Sequence, residues 1–119
     1  MIPASRIRVQ DREGVPVASL DGEVDIANAS EVRDQLFALL SDRPLGLIVD
    51  LSGVTFFDSR GVHVMLELAE RMHVRNQQLR LVVPDTNMIK RVLQLTHLDS
   101  IVPLDASVED AAAQMGLQR

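Results

Sequence analysis

The spacing of apolar residues along this chain switches several times between the period of a strand and the period of a helix. An extended segment is predicted from Val15 to Ile26. Asp21-Gly22 interrupts this segment as a turn or a bulge. Residues 45–51 form a nearly continuous apolar run, which is typical of a central strand buried on both faces. This run therefore predicts the middle of a sheet.

Helical spacing is found in two longer segments. Residues 28–40 carry apolar side chains at helical spacing, and Asp25 or Asn28 is expected to cap that helix. A second helix is predicted from Asp58 to about Arg75. The other predicted elements are strands at 54–57, 79–83 and 101–104, a short helix capped by Asp85 or Thr86 with Met88 in its apolar stripe, and a helix over 106–115. Strands separated by helices predict an α/β fold with a mixed sheet.

Length and composition predict one ordinary domain over residues 1–119. Of the 119 residues, 46% are hydrophobic and 24% are charged, so the chain can bury a sizeable core without cross-links. The chain has no cysteine, which excludes disulfides, thiolate metal sites and cysteine nucleophiles.

Charge and aromatic content argue against direct contact with nucleic acid. The formal net charge is −5, and the aromatic residues are three Phe with no Tyr or Trp, so neither phosphate-backbone binding nor base stacking is expected. No apolar run approaches the roughly 18 residues of a membrane helix, and the first ten residues do not read as a secretory signal. The predicted location is cytoplasmic. No nucleotide-binding loop or metal-ligand motif is found, so no cofactor and no metal are expected.

The most unusual segment lies where a short apolar run leads into the second long helix. If Asp58 is the N-cap, Ser59 occupies the first turn, and its hydroxyl lies beside unpaired backbone N–H groups at the positive end of the helix dipole. A phosphate there would meet favourable electrostatics and would add about −1.5 to −2 charges. Gly61 adds no side chain to this turn. The plainer alternative is that Asp58 and Ser59 only cap a helix.

Two segments of the sequence resemble the signature of a known family. In the first segment, residues 50–54 read D-L-S-G-V and residues 56–61 read F-F-D-S-R-G. In the second segment, residues 20–25 read L-D-G-E-V-D ahead of Asn28-Ala29. Both segments are similar to motifs of the STAS domain, in the branch of bacterial anti-sigma factor antagonists. The resemblance covers about residues 7–115, which we take as the core of the domain.

The resemblance implies a four- or five-stranded mixed sheet packed with about four helices. It also implies a function, because antagonists of this family bind a partner that is both an anti-sigma factor and a serine protein kinase. Binding of the unphosphorylated antagonist releases a sigma factor. Phosphorylation by the partner ends the interaction, and a metal-dependent serine phosphatase restores it.

Carried over residue by residue, the resemblance makes Ser59 the phosphoacceptor and Asp58 its flanking acid. Asp25 corresponds to an acidic loop residue that contributes to the partner surface, and Asn28 corresponds to the polar residue of the same loop. Gly61 matches the glycine of the signature. Together with the two residues discussed next, these positions form the expected partner-binding site.

Two positions of the expected site depart from the family pattern. Arg60 stands where the family usually has Ser or Thr, and His63 stands where a small or a charged residue is more common. Arg60 would either neutralise a phosphate on Ser59, obstruct the approach of the kinase, or select a different partner. An antagonist that works without phosphorylation therefore stays open.

One other function stays open beside the antagonist. The chain would serve as a scaffold or interaction subunit of a stress-signalling assembly if Ser59 is not phosphorylated. An enzyme is not expected: Ser59 and His63 share a helix face at four residues' spacing, but the G-x-S-x-G elbow and an orienting third group are missing from the local sequence. The oligomeric state, a homodimer included, is left open.

Overall fold

The computed structural model describes residues 5–40 and 45–117, which form one five-stranded sheet and four α-helices. The strands are β1 (Ser5–Arg12), β2 (Val15–Val24), β3 (Gly46–Phe57), β4 (Gln78–Val82) and β5 (Leu104–Asp105). The helices are α1 (Ala29–Ala38), α2 (Ser59–Val74), α3 (Met88–Leu95) and α4 (Val108–Gln114), with a 3₁₀ turn at Leu98–Ser100. The predicted α/β fold with a mixed sheet is confirmed.

The strands follow their sequence order across the sheet, from β1 at one edge to β5 at the other. β1 is antiparallel to β2, and β2 to β5 are parallel. The carboxyl ends of the parallel strands therefore meet at one end of the sheet, where ligands and partners of open α/β sheets usually bind.

Both faces of the sheet are covered, but unequally. Helices α1, α2 and α3 pack over one face and contribute to the larger core. Helix α4 covers part of the other face, where its residues Ala111 and Ala112 and its C-cap Met115 pack in one cluster with Val17 and Ile48. Residues 46–49 and Leu51 of β3 lie between these two layers and are buried, as the apolar run at 45–51 predicts, whereas Asp50 is half-buried and Leu45, before the strand, is exposed.

β3 is one strand of twelve residues, whereas the sequence pattern predicted two separate runs. Its pairing with β2 shifts twice, between the pairs Ser19–Asp50 and Asp21–Gly53 and again between Gly22–Val54 and Glu23–Phe56. Each shift places one extra residue in β3, which is a β-bulge. A bulge reverses the alternation of faces, so Leu51, Val54 and Phe57 all point into the same core although they are three residues apart.

Several predicted boundaries were wrong for local reasons. β2 ends at Val24, and Ile26 lies beyond it in a loop with 73% of its surface exposed. Asn87, rather than Asp85 or Thr86, caps α3, because its side-chain oxygen accepts the Ile89 N–H at 2.8 Å. These differences shift element ends without changing the order of the elements.

Two further differences from the prediction concern the side chain of Met88 and the strand β1. Met88 was predicted to fill the core, but it is 85% exposed at the first position of α3. β1 was not predicted, since its charged residues outnumber its two apolar ones, of which Ile7 is half-buried and Val9 is 49% exposed. An edge strand needs only that weak pattern, and the charges protect its free edge from pairing with other chains.

The hairpin between β1 and β2 turns through Glu13 and Gly14, which both have positive φ (50° and 88°). Two residues with positive φ indicate a type I′ turn, in which Asn-Gly is the preferred pair. We expect Glu13→Asn to raise the free energy of unfolding by about 0.5 kcal/mol, because Asn tolerates this backbone better than Glu. Thermal unfolding followed by circular dichroism measures the change. The control Glu13→Val should lower the stability, and a stabilising effect of Val would contradict the turn assignment.

Candidate functional site

The predicted site residues lie at the carboxyl ends of two neighbouring strands. β2 and β3 pair up to Val24 and Phe57, and the Asp58 N–H donates to the Val24 carbonyl oxygen at 3.2 Å. Asp25 and Asp58 therefore directly follow two adjacent strand ends. The fold thus brings together two motifs that lie about thirty residues apart in the sequence, as the parallel arrangement requires.

The β2–α1 turn is held by its own side chains. Asp25 Oδ1 accepts the Ala27 N–H at 3.0 Å, and Asn28 Oδ1 accepts the Asp25 N–H at 3.0 Å. Asn28 also donates through Nδ2 to the Glu23 carbonyl at 2.7 Å. Asn28, one of the two predicted caps, is the N-cap residue of α1, but its side chain makes no capping hydrogen bond. These side chains instead fix the shape of the turn beside Asp58.

The start of α2 is a side-chain-capped helix N-terminus. Asp58 has an extended backbone, and its Oδ1 atom accepts the N–H groups of Arg60 at 2.9 Å and Gly61 at 3.4 Å. The prediction of Asp58 as the N-cap is confirmed. The expectation of unpaired N–H groups beside Ser59 is corrected, since two of the donors of this first turn are already bound to the Asp58 carboxylate.

Ser59 is the first residue of α2 and is exposed. Within residues 5–40 and 45–117, its hydroxyl has no hydrogen-bond partner. A hydroxyl that is exposed and not engaged by the protein can enter the active site of another protein without breaking a bond in its own. This geometry suits a modified serine better than a capping serine, because the capping role belongs to Asp58.

Gly61 is required by the packing under the first turn of α2. A Cβ atom at this position would lie 2.8 Å from Cε1 of Phe57, closer than real Cβ atoms approach. Phe57 is 4% exposed and cannot move away freely. The glycine therefore lets the helix start sit directly on the last residue of β3, which fixes the height of Ser59 above the sheet.

Arg60 and His63 line one side of a shallow cleft of about 70 Å³ between α1 and α2. The cleft is lined by Ala29, Ser30, Arg33, Arg60, His63, Val64 and Glu67. Glu67 Oε1 accepts a hydrogen bond from Arg33 Nε at 3.2 Å, and His63 Nε2 lies 3.7 Å from the same oxygen. The sequence did not indicate Arg33 or Glu67, because their contact joins two helices 34 positions apart and leaves no local pattern.

Ser59 and His63 lie one helical turn apart, as their spacing predicts. In the described part of the chain no hydrogen bond joins them, and His63 Nε2 instead lies 3.7 Å from the Glu67 carboxylate. A nucleophile and its base need such a bond in order to share a proton. The geometry therefore favours a binding surface over a hydrolytic pair.

Exposed apolar side chains flank the polar site. Ile26, in the β2–α1 turn, is 73% exposed, and Phe56, at the end of β3, is 49% exposed. Phe56 pairs with Glu23 in the ladder, so both apolar residues lie within a few positions of the Val24–Phe57 pair below Ser59. We call the end of the sheet that carries Asp25, Ile26, Phe56 and Ser59 the strand-end surface, in which exposed Phe56 and buried Phe57 lie on opposite faces of the sheet. Large apolar groups exposed beside polar ones are typical of a protein-binding surface.

The helices described by the structure include none long and apolar enough to span a membrane. Across residues 5–40 and 45–117, no three His, Asp or Glu side chains are grouped closely enough to hold a metal ion.

Comparison with known proteins places this arrangement in a family. The family model of the STAS domain matches residues 6–111. The anti-sigma-F factor antagonist RsfB of Mycobacterium tuberculosis is 29% identical over 106 residues, which cover 88% of this chain and 84% of that protein.

Solved structures show the same fold. An anti-sigma factor antagonist from Mycobacterium paratuberculosis superposes with a TM-score of 0.85 and 28% identity, and the match covers 94% of each chain. SpoIIAA, a cell-fate determinant of Bacillus, shares the fold in its phosphorylated form with a TM-score of 0.64 and 18% identity, covering 92% of this chain and 98% of SpoIIAA. Because the family model spans both signature segments, and five strands and four helices follow one another in the expected order, the chain belongs to the STAS domain family.

Proposed function

We propose that this protein is an anti-sigma factor antagonist that is switched by phosphorylation of Ser59. It binds an anti-sigma factor that is also a serine protein kinase, and this binding releases a sigma factor. The observation that carries the proposal is the exposed Ser59 hydroxyl, which makes no hydrogen bond in the described part of the chain and stands next to the Asp25 turn. The names of the relatives RsfB and RsfA, both anti-sigma-F factor antagonists of Mycobacterium tuberculosis, support the same role.

The strand-end surface supports a binding role through its mixture of groups. Ile26 and Phe56 supply apolar area that a partner can bury, and Asp25 supplies a charge at the rim. The turn that carries Asp25 is fixed by its own hydrogen bonds, so little conformational entropy is lost on binding. A rigid surface of this kind needs no rearrangement to bind its partner.

Phosphorylation would change this surface without refolding the domain. A phosphate on Ser59 adds about −1.5 to −2 charges beside the carboxylates of Asp25 and Asp58. A partner that packs closely over the unmodified serine would meet both the bulk of the phosphate and a charge that it must desolvate, which costs several kcal/mol. The shared fold of SpoIIAA in its unphosphorylated and phosphorylated forms agrees with a switch that leaves the fold intact.

The proposed role needs one domain and no catalytic activity of the chain itself. We assign it to the core at about residues 7–115, acting in the cytoplasm, where sigma factors work. The ATP and the phosphoryl transfer belong to the partner kinase. A metal-dependent serine phosphatase would return the chain to its binding form.

Intact-mass spectrometry tests the proposal. The purified protein is incubated with Mg²⁺, ATP and each kinase-type anti-sigma factor of its host, in parallel with Ser59→Ala. We expect one partner to add a single phosphate to the parent chain and none to the Ser59→Ala chain. Addition of phosphate to both chains would contradict the assignment of Ser59. Neither phosphate nor complex formation with any of them would overturn the antagonist role and favour a scaffold subunit.

A further inference from the structure

The start of α2 leaves a phosphate on Ser59 with few backbone donors, and its nearest cations are side chains of this chain. We propose that Arg60 and His63 supply the countercharge that holds the phosphate of phosphorylated Ser59, with Arg60 as the main group. This inference rests on the proposed function, which makes Ser59 the phosphoacceptor. It assigns a role to Arg60, the residue that departs from the family signature.

The backbone cannot bind the phosphate in the usual way of a helix N-terminus. Helix starts bind phosphate through their free N–H groups. Here the Asp58 carboxylate already accepts the N–H groups of Arg60 and Gly61, at 2.9 and 3.4 Å. The Val62 N–H donates to the Asp58 carbonyl oxygen at 3.2 Å. Three of the donors near Ser59 are therefore occupied.

The carboxylates near Ser59, in the chain and in the sheet, are unfavourable to a phosphate. Asp58 precedes Ser59 directly, and Asp25 follows the strand end that is paired with the one before Asp58. Two carboxylates beside a phosphate repel it and favour its protonated form. Without a neighbouring cation, the phosphate would be held in a locally negative surface.

Arg60 and His63 are the basic side chains in the first two turns of α2. Both are exposed, and both line the cleft beside α1. Arg60 makes no ion pair within the described residues. Arg33, the other cation of the cleft, is already bound to Glu67 at 3.2 Å and lies 3.4 Å from Asp34. Arg60 is thus the guanidinium that can turn toward a new anion without giving up an existing partner.

His63 stands one turn beyond Ser59 on the same helix face, where residues four apart are neighbours. Its Nε2 atom lies 3.7 Å from the Glu67 oxygen that accepts the stronger bond from Arg33. A phosphate on Ser59 offers His63 a second anion on its other side. The phosphate, Arg60 and His63 then form a compact group at the start of α2.

The second proton dissociation of the phosphate reports this group directly. Phosphoserine is placed at position 59 of the full chain by genetic encoding, so that no kinase is needed, and ³¹P NMR follows its titration, with a pKa of about 6 in the absence of neighbours. Removal of the cation in Arg60→Ser should raise this pKa by about half a unit, because the nearby carboxylates then dominate. The exposed arginine of α3 provides a matched control, Arg91→Ser, which should leave the titration unchanged.

One further variant and one further condition test the same assignment. His63→Gln should raise the same pKa by a smaller amount, and 1 M salt should reduce the difference between the parent and Arg60→Ser. Circular dichroism confirms that each variant is folded. Identical titrations of the parent and Arg60→Ser, or equal shifts in Arg60→Ser and Arg91→Ser, would overturn the inference. Either result would leave the proposed function intact, because Ser59 phosphorylation is measured separately by intact mass and partner binding by titration calorimetry.

Discussion

Ser59→Asp is expected to weaken the complex with the anti-sigma factor at least about tenfold, which corresponds to about 1.4 kcal/mol. The new carboxylate would stand beside Asp58 and near the Asp25 turn, on the surface that the partner buries. Desolvating an added charge without a matching cation on the partner weakens the complex through faster dissociation. Titration calorimetry at low and at high salt measures the loss and its electrostatic part.

The matched control for this variant is Ser59→Asn, which has nearly the same shape as Asp but no charge. Ser59→Asn and Ser59→Ala should both bind close to the parent affinity, and neither should be phosphorylated at this position. If Asp and Asn weaken the complex equally, the switch works through side-chain volume and the charge argument is wrong. If neither variant changes the affinity, the partner does not contact Ser59.

Gly46→Ala is expected to cause a larger loss of stability than alanine at Gly53 or Gly61. A Cβ atom at Gly46 would lie 1.9 Å from the carbonyl oxygen of Gln78, in the paired strand β4. A backbone atom of an inner strand cannot rotate away, so the two strands must separate at this pair. We expect a loss on the order of 3 kcal/mol or more from a typical total of roughly 5–15 kcal/mol.

Urea unfolding followed by circular dichroism measures this loss, since the chain has no Trp or Tyr to serve as a fluorescent probe. Gly53→Ala, in the same strand, is the matched control. Its Cβ would first meet the Asp21 carboxylate oxygen at 1.9 Å, and this side chain is 43% exposed and can turn away. The control should therefore cost less than half as much. Equal losses of stability in Gly46→Ala and Gly53→Ala would show that the clash with the Gln78 carbonyl oxygen does not set the cost at Gly46.

Much of the fold follows from local patterns. The apolar run at 45–51 marks the centre of the sheet, and the Asp58 cap marks the start of α2, because both depend on residues close together in the sequence. The path of β3 beyond Asp50 could not be predicted. Its two bulges exist only in relation to β2, so an apolar spacing of three residues looks like two separate runs when the partner strand is unknown.

The candidate site also combines features that the local sequence predicts with features that depend on the packing of distant segments. The residue types at positions 58–61 are enough to predict a capped helix start with an exposed serine. The interaction of Arg33 with Glu67 cannot be found from the sequence, since it depends on how α1 and α2 pack. The occupation of the Arg60 and Gly61 N–H groups by Asp58 was also missed, although an Asp at the N-cap implies it.

The bulges of β3 have a consequence for how the chain can change in length. Thr55 is the extra residue of the second bulge, between Val54, which pairs with Gly22, and Phe56. Its deletion would make the pairs Gly22–Val54 and Glu23–Phe56 consecutive, and it would leave Phe56 and Phe57 on their present faces of the sheet. Insertions in the β1–β2 hairpin would likewise only lengthen a surface loop. The bulge therefore lets β3 lose one residue while Ser59 keeps its place beside the Asp25 turn, so length can vary here without rebuilding the functional site.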